Sequence, residues 1–331
     1  MLKHLFLAFA FFFSAGPVTA ACEGRNLLGD LPPDQRAALD AAVAAAPYAA
    51  GNHWIARKSG STINVIGTFH LYDERMEGPI TGLDPVIRAA DAVYLEATDA
   101  EMTQLQREIG RNPDILVIPH GDHTLPELLA PDEWALLSEE MRARGIPPFM
   151  AAKFRPWYVT MLLSMPPCAM ETVTQQREGL DQMVMGVAEA AGVPTHPLEE
   201  FDTVFQVFLA LSAEEQIDMV RATLPLVAQA EDLFVTMTEA YFTEEHRRIW
   251  ELSRLQAVTA AGADSGKMEK DFALMEEALL NGRNRAWMEV ILPAAENRSI
   301  VVAVGAAHLS GEEGVLNLLA EAGYELGRLP F

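Results

Sequence analysis

Two apolar runs that end alike place the strongest constraint on how this chain can fold. They read INVIGTFH at residues 63–70 and IVVAVGAAH at residues 300–308, and each has a glycine three residues before its histidine. After each run come a polar loop, a helix pattern and another strand pattern. Such β-α-β half-units build parallel sheets. The sequence therefore predicts an α/β (α+β) fold whose central sheet is mixed but largely parallel.

Four side chains that can bind metals or move protons stand at predicted strand ends. His70 and His308 close the two runs, Glu96 closes AVYLEA, and Glu199 closes the run that starts at Val193. Parallel sheets bind ligands outside the carboxyl ends of their strands. A single Gly-x-x-His is a weak signal, but its repetition beside two acids predicts one shared site.

Residues 203–290 carry apolar side chains at three- and four-residue spacing, which predicts a helical cap. No linker rich in Gly, Pro and Ser divides the chain, so we expect one domain over residues 21–331 that includes this cap. The remaining patterns predict a proline-started helix that ends near Gly51, a hairpin that turns at residues 59–61, and a strand or extended run at 114–119.

The first twenty residues have the pattern of a secretory signal peptide, with a basic start, the apolar run LFLAFAFFF and small residues before a cut. The sequence thus predicts a periplasmic or secreted protein, and no later stretch is apolar enough to span a membrane. With 24 basic and 47 acidic residues, the net charge of −23 repels nucleic acid and anionic lipid.

The two cysteines are Cys22, just after the expected cut, and Cys168. In an oxidising compartment they are expected to form a disulfide that pins the N-terminus to the body. A lipidated Cys22 and two free thiols are the alternatives.

Several common catalytic motifs do not occur in the sequence: it contains no His-Glu-x-x-His, no Gly-x-Ser-x-Gly, no Gly-x-x-x-x-Gly-Lys and no Gly-x-Gly-x-x-Gly. Serine-elbow hydrolases, P-loop enzymes and typical dinucleotide oxidoreductases lose their main support. The pair His120 and His123, in a polar loop, is a poorer candidate for metal binding than the strand-end set.

Read in order, GTFH, LEAT, GLD, LEE, GRNRAW and AVGAAHLSGEEGVLNLLAEAGY resemble the TraB/GumN family, which is related to the TIKI proteins. The resemblance covers essentially the whole mature chain and is most specific in the C-terminal block. It implies a central sheet with paired Gly-x-x-His motifs and, by analogy with the TIKI proteins, a divalent-metal-dependent peptidase. It also implies that His70, His308, Glu96 and the pair Arg283 and Asn284 are site residues.

The resulting hypothesis is a metal-dependent hydrolase of peptide or amide bonds. His70, His308 and Glu96 would hold a divalent ion, and this donor set suits Zn, Mn, Co or Fe. Glu199 would accept a proton and Arg283 would stabilise the developing oxyanion. The predicted substrate is an extended peptide or a small amide.

There are two alternative hypotheses, and the first of them uses the same four side chains. The first is a non-catalytic periplasmic protein that binds a metal, haem or a peptide, because ligands for storage and for catalysis look alike in a sequence. The second is an accessory factor in exported polysaccharide biosynthesis, which only the GumN name suggests.

Overall fold

A computed structural model describes residues 22–175 and 177–331, so the predicted signal peptide lies outside the described residues. The strands are β1 His53–Lys58, β2 Ser61–Thr68, β3 Ala92–Leu95, β4 Thr195–Pro197, β5 Ser299–Gly305 and β6 Glu325–Arg328. The α-helices are α1 Pro33–Ala45, α2 Glu77–Arg88, α3 Asp99–Arg111, α4 Leu125–Leu128, α5 Pro131–Ala143, α6 Pro148–Ala151, α7 Pro156–Ser164, α8 Pro167–Thr174, α9 Leu180–Ala191, α10 Thr203–Leu209, α11 Ala213–Thr223, α12 Ala230–Phe242, α13 His246–Ala261, α14 Ser265–Glu276, α15 Gly282–Ala294 and α16 Val315–Glu321.

The strands form one mixed sheet in the order β4-β3-β5-β2-β1-β6. The first four are parallel, whereas β1 runs antiparallel to both β2 and β6. The α/β class and the largely parallel sheet are thus confirmed. Because β6 is antiparallel to β1, it points the same way as β5, and both half-units have the parallel sense that the repeat predicts.

The two strands that carry the repeated motif lie side by side. Ile63 of β2 pairs with Ile300 of β5, and Thr68 pairs with Gly305 at the carboxyl end. The hairpin before β2 turns at Ser59 and Gly60, with φ values of 39° and 89°, as a two-residue type I′ turn requires.

Alternating side chains of β5 face two separate apolar layers. Ile300, Val302 and Val304 pack with α15 and α16, whereas Val301 and Ala303 pack with α2 and α9. Burial on both faces explains why this strand is apolar throughout. A third core lies among the helices α4, α5, α7 and α11.

Two boundaries differ from the sequence prediction. Helix α1 ends at Ala45 instead of near Gly51, because Pro47 disfavours a helical conformation at the residue before it. The run at 114–119 contains a 3-10 turn, Pro113–Ile115, and one isolated bridge between Val117 and Phe154. A regular strand does not form there, since Pro113 and Pro119 remove backbone donors.

Residues 203–290 are helical as predicted, in α10 to α15. Helices α3 to α8, between β3 and α9, form a second helical segment whose bounds the sequence patterns do not predict. The assignment of a single domain stays a prediction. Among the residues described here, no helix has the length and apolar character of a membrane span.

The disulfide between Cys22 and Cys168 is present, with Cα atoms 5.4 Å apart. It fastens the N-terminal segment to α8, and the same segment lies against α12, where the Glu23 amide donates to Glu231 at 2.5 Å. The predicted pinning of the N-terminus is confirmed.

His246, at the start of α13, is 5% exposed and makes the fold sensitive to acid. Burial lowers its pKa to about 4; the Gly51 backbone opposes that shift, and Arg247 and Arg328 add to it. The unfolded chain takes up a proton near pH 6.5, whereas the folded chain keeps the ring neutral. The contribution of a neutral His246 to the free energy of unfolding is therefore fully present above pH 6.5 and is lost as the pH falls towards 4.

We expect this ring to account for up to about 3 kcal/mol of the acid-induced loss in unfolding free energy. Urea unfolding at pH 7 and at pH 4 measures that loss for the wild type and for His246→Leu. The variant should lose less between the two pH values. An equal loss in both proteins would contradict a neutral buried His246.

Candidate functional site

The carboxyl ends of four neighbouring parallel strands bring the predicted side chains to one edge of the sheet. Glu199 follows β4, Glu96 follows β3, His308 follows β5 and His70 follows β2. The loops after these strands are short, so each side chain stays close to its strand end. The structure thus brings all four together, and Arg283 of α15 reaches into the same cluster.

Arg283 lies at the centre of the cluster, and each of its five N–H groups faces an acceptor. The guanidinium binds Glu199 through Nε at 2.9 Å and Nη2 at 2.6 Å, and Nη2 also donates to Glu96 Oε2 at 2.7 Å. Nη1 donates to the Leu279 carbonyl at 3.0 Å and lies 3.2 Å from His308 Nε2. A guanidinium has five N–H donors, so every hydrogen-bond donor of the Arg283 side chain has an acceptor.

Glu96 is held as an anion. Its Oε1 accepts the Gly305 amide at 2.7 Å, while Oε2 faces Arg283. Burial alone raises the pKa of Glu96, but His308, His70, Arg283 and the Gly305 amide outweigh that effect and lower it to about 2. Oε1 retains a lone pair on the side that faces the two histidines.

Asn284 fixes the tautomer of His308. Its Nδ2 donates to the Glu313 carbonyl at 2.9 Å, which leaves Oδ1 as the acceptor for His308 Nδ1 at 2.6 Å. The proton therefore sits on Nδ1, and Nε2 presents a lone pair. Burial lowers the pKa of His308 to about 4, against the pull of Glu96. The ring is neutral, as a metal ligand must be.

His70 differs from His308 in its exposure, because 61% of its side chain faces solvent. Its Nδ1 lies 3.4 Å from Asp181 Oδ1, in the first turn of α9. Gly179 places that turn against His70, and the Leu180 amide donates to the Phe69 carbonyl at 2.9 Å. A partial loss of water lowers the pKa of His70, but the carboxylates of Asp181 and Glu96 together outweigh this effect and raise it.

The two motif glycines, Gly67 and Gly305, have different structural roles. A Cβ on Gly67 would lie 2.7 Å from the side chain of Leu309, so Gly67 lets the second motif pack against the first. A Cβ on Gly305 would lie 3.2 Å from Glu96 Oε1, 3.6 Å from His70 Nε2 and 3.7 Å from His308 Cδ2. Because Gly305 has no side chain, a space remains beside it, and Glu96, His70 and His308 all face this space.

Two residues of the site escaped the sequence reading. Asp181 is the aspartate of the motif GLD, and no pattern in the sequence assigns it a role. Trp287 was quoted within GRNRAW; its indole Nε1 donates to Glu199 Oε2 at 3.0 Å, and its ring centre lies 4.4 Å from that of His308. The four-residue spacing from Arg283 could have placed Trp287 on the same helix face. A π-helical turn, Glu277–Asn281, precedes these residues, and such turns are frequent at functional sites.

The donor chemistry of the cluster fits a divalent ion. Both rings turn Nδ1 towards an oxygen, which directs Nε2 inward in the way that metal-ligating histidines are usually oriented. The carboxylates of Glu96, Glu199 and Asp181 outnumber the cations in the cluster, Arg283 and a protonated His70. A bound ion would replace the His70 proton, so affinity would depend on pH.

The ligand atoms are nevertheless more widely spaced than an ion would hold them. Within residues 22–175 and 177–331, the one set of three such atoms lying within 4.8 Å of one another belongs to Cys22, Cys168 and Glu231. Its sulfurs are already joined in the disulfide. Of the three candidate ligands, His70 is the most exposed, with 61% of its side chain open to solvent against 18% for Glu96 and 5% for His308.

Comparison with protein families matches residues 52–328 to the TraB/PrgY/gumN family. The chain belongs to the TraB/PrgY/gumN family. The match spans the sheet from before β1 to the end of β6 and includes all the site residues above, so the resemblance read from the motifs is confirmed. No match to the chain was found among curated proteins.

Proposed function

We propose that this TraB/PrgY/gumN protein is an exported, divalent-metal-dependent hydrolase of peptide or amide bonds. The observation that carries the proposal is the convergence of His70, Glu96 and His308 on the space beside Gly305. His308 Nδ1 is hydrogen-bonded to Asn284 Oδ1, His70 Nδ1 lies 3.4 Å from Asp181 Oδ1, and the carboxylate of Glu96 is anionic. Two imidazoles and one carboxylate form a donor set that suits Zn, Mn, Co or Fe alike.

In this proposal His70, Glu96 and His308 hold the ion. When bound, a divalent ion acts as a Lewis acid that polarises a carbonyl group and acidifies water. The chain orients the ligands through Asn284 and Asp181. Placement of ligands by such supporting residues is commonly worth 10- to 100-fold in affinity.

Arg283 supplies the positive charge beside the reaction space. Its contact with His308 Nε2 is the longest of its contacts, at 3.2 Å, and is the one that a ligand at His308 would replace. The freed N–H would then be available to a developing oxyanion. Glu199 as proton acceptor remains a prediction, and its contacts with Arg283 and Trp287 favour a second role, which is to hold the guanidinium in place.

Export is supported by the disulfide. Cys22 and Cys168 are bonded, and structural disulfides persist in oxidising compartments. The expected signal sequence, residues 1–20, ends two residues before Cys22. The proposed location of the mature protein is therefore the periplasm or the exterior of the cell.

One observation favours a non-catalytic binding protein as the second candidate. All five N–H groups of Arg283 have acceptors within the chain, so none of them is free for a substrate oxyanion in this structure. In a metal-binding protein without activity, the chain fills the whole coordination shell of the ion, whereas a hydrolase keeps one coordination position open for water or substrate. The two candidates therefore differ in turnover.

The test combines metal content with hydrolysis. Purified mature protein, stripped of metal and reconstituted with Zn, Mn, Co or Fe, is analysed for bound ion and for cleavage of a peptide library. We expect one ion per chain and metal-dependent cleavage. His70→Ala should weaken binding by more than about 100-fold, since even supporting residues are worth 10- to 100-fold. His123→Ala, a change in an exposed histidine outside the site, should leave both unchanged.

A second variant, Gly305→Ala, tests the metal site in a protein that is expected to keep its fold. Gly305 has a φ of −51°, which alanine adopts without strain, so the new methyl group fills the ligand space and little else. We expect metal binding to fall by at least about 10-fold while the fold persists. Equal metal content in the wild type and His70→Ala would overturn the metal site. Bound metal without any cleavage would favour the binding protein.

A further inference from the structure

A cleft of about 500 Å³ opens beside His70. This volume is within the range of known ligand pockets. His70 lines the cleft and also faces the space beside Gly305, so this one side chain is shared by the cleft and the proposed reaction site. A bound molecule that filled it would lie next to the His70 ring.

The outer face of helix α9 forms one wall of the cleft. Gln182, Met185, Gly186 and Glu189 line it at the spacing of one helix face, while Leu180 and Val184 on the opposite face are buried in the core. A Cβ on Gly186 would meet nothing within 4 Å. The wall therefore has open space at Gly186.

The lining combines apolar and acidic groups. Leu71 and Met185 are half-buried, and Val173 is 43% exposed, so apolar surface is left open to solvent. Asp99, Glu178 and Glu189 supply three carboxylates. Such a lining suits a ligand that has both an aliphatic and a cationic group.

The two cations of the lining, His70 and Arg177, do not pair with these acids, since His70 pairs with Asp181, which lies outside the lining. The Arg177 guanidinium lies 3.7 Å from the centre of the Tyr72 ring, and among the described residues it makes no ion pair with Asp99, Glu178 or Glu189. A second cleft, of about 270 Å³, has matched charges instead: there Arg248 pairs with Asp40 and Glu245. The cleft beside His70 thus keeps an uncompensated negative charge.

We propose that this cleft is the specificity subsite and that it binds a peptide segment carrying a lysine or arginine beside an aliphatic residue. The proposal rests on the proposed function and narrows its substrate class. The carboxylates attract the cationic side chain, and the apolar floor receives its neighbour. The peptide bond of that segment then lies near His70.

Binding of two matched peptides tests the charge. Both are acetylated and amidated octapeptides of alanine with a central leucine, followed in one by arginine and in the other by citrulline, which has nearly the same shape and no charge. Binding to metal-free mature protein is measured by calorimetry at low salt. We expect the arginine peptide to bind about 10-fold more tightly and to lose this advantage at high salt.

Substitutions of cleft residues test whether the peptides bind in this cleft. Glu178→Gln with Glu189→Gln should remove most of the preference for arginine, whereas Glu139→Gln, an exposed change on α5, should not. Gly186→Leu fills the cleft, replaces glycine by a better helix former, and should block both peptides.

The outcomes separate this proposal from the proposed function. Equal affinity for the two peptides, or no effect of the cleft variants, overturns the subsite, and metal binding at His70 and His308 then still stands. Preferential arginine binding that the cleft variants abolish supports the subsite, even if the protein holds no metal and cleaves nothing.

Discussion

Replacing Arg283 by methionine is expected to lower the free energy of unfolding by about 3–5 kcal/mol, the usual cost of removing one partner from a buried ionic group. Arg283 is 9% exposed, and it neutralises Glu96 and Glu199, which are 18% and 12% exposed. Without the guanidinium, two neighbouring carboxylates remain in a site with little water. The same change should abolish hydrolysis, since it removes the one cation proposed to face the oxyanion.

Urea unfolding of the variant and the wild type measures the loss. Arg285→Met is the matched control, because Arg285 is on the same helix, is 45% exposed and pairs with Glu277 and Glu313 at the surface. It should cost no more than about 1 kcal/mol.

A charge-neutral variant tests the cause of that loss. Combining Arg283→Met with Glu96→Gln and Glu199→Gln should recover most of the stability, because no buried charge is then left unpaired. If Arg283→Met were as stable as Arg285→Met, the buried charge cluster would not support the fold.

The sequence predicted the sheet and the strand-end residues because both depend on local patterns. Continuous apolar runs identify strands that are buried on both faces, as β5 shows. The first polar side chain after such a run lies at the ligand-binding edge, whatever the rest of the chain does. His70, Glu96 and His308 could therefore be assigned without knowing the strand order.

Local sequence patterns could not identify Arg283, which lies at the centre of the cluster. Arg283 contacts Glu199 and Glu96 across 84 and 187 residues of sequence, and no local period relates such distant positions. Only the resemblance placed Arg283 and Asn284 at the site. Asp181 escaped notice because its role depends on a backbone contact between Gly179 and His70.

That backbone contact makes Gly179→Ala the second change with a large expected effect. An alanine Cβ would lie 2.4 Å from both the carbonyl carbon and the oxygen of His70, and 2.7 Å from the Phe69 oxygen. The φ of Gly179 is −70°, so alanine is not excluded by its own conformation. The clash is with main-chain atoms, which cannot rotate away as a side chain would, and either the His70 loop or α9 must move.

We expect a stability loss of about 3 kcal/mol, at the upper end of the usual cost of overpacking, together with weaker metal binding. The binding should fall because the shift separates His70 from Asp181. Gly186→Ala is the matched control on the same helix, where the methyl group meets nothing and should stabilise the helix by about 0.5–1 kcal/mol. Urea unfolding and metal titration of both variants check this. A Gly179→Ala protein that kept wild-type stability and metal affinity would show that the contact between α9 and His70 does not position the ring.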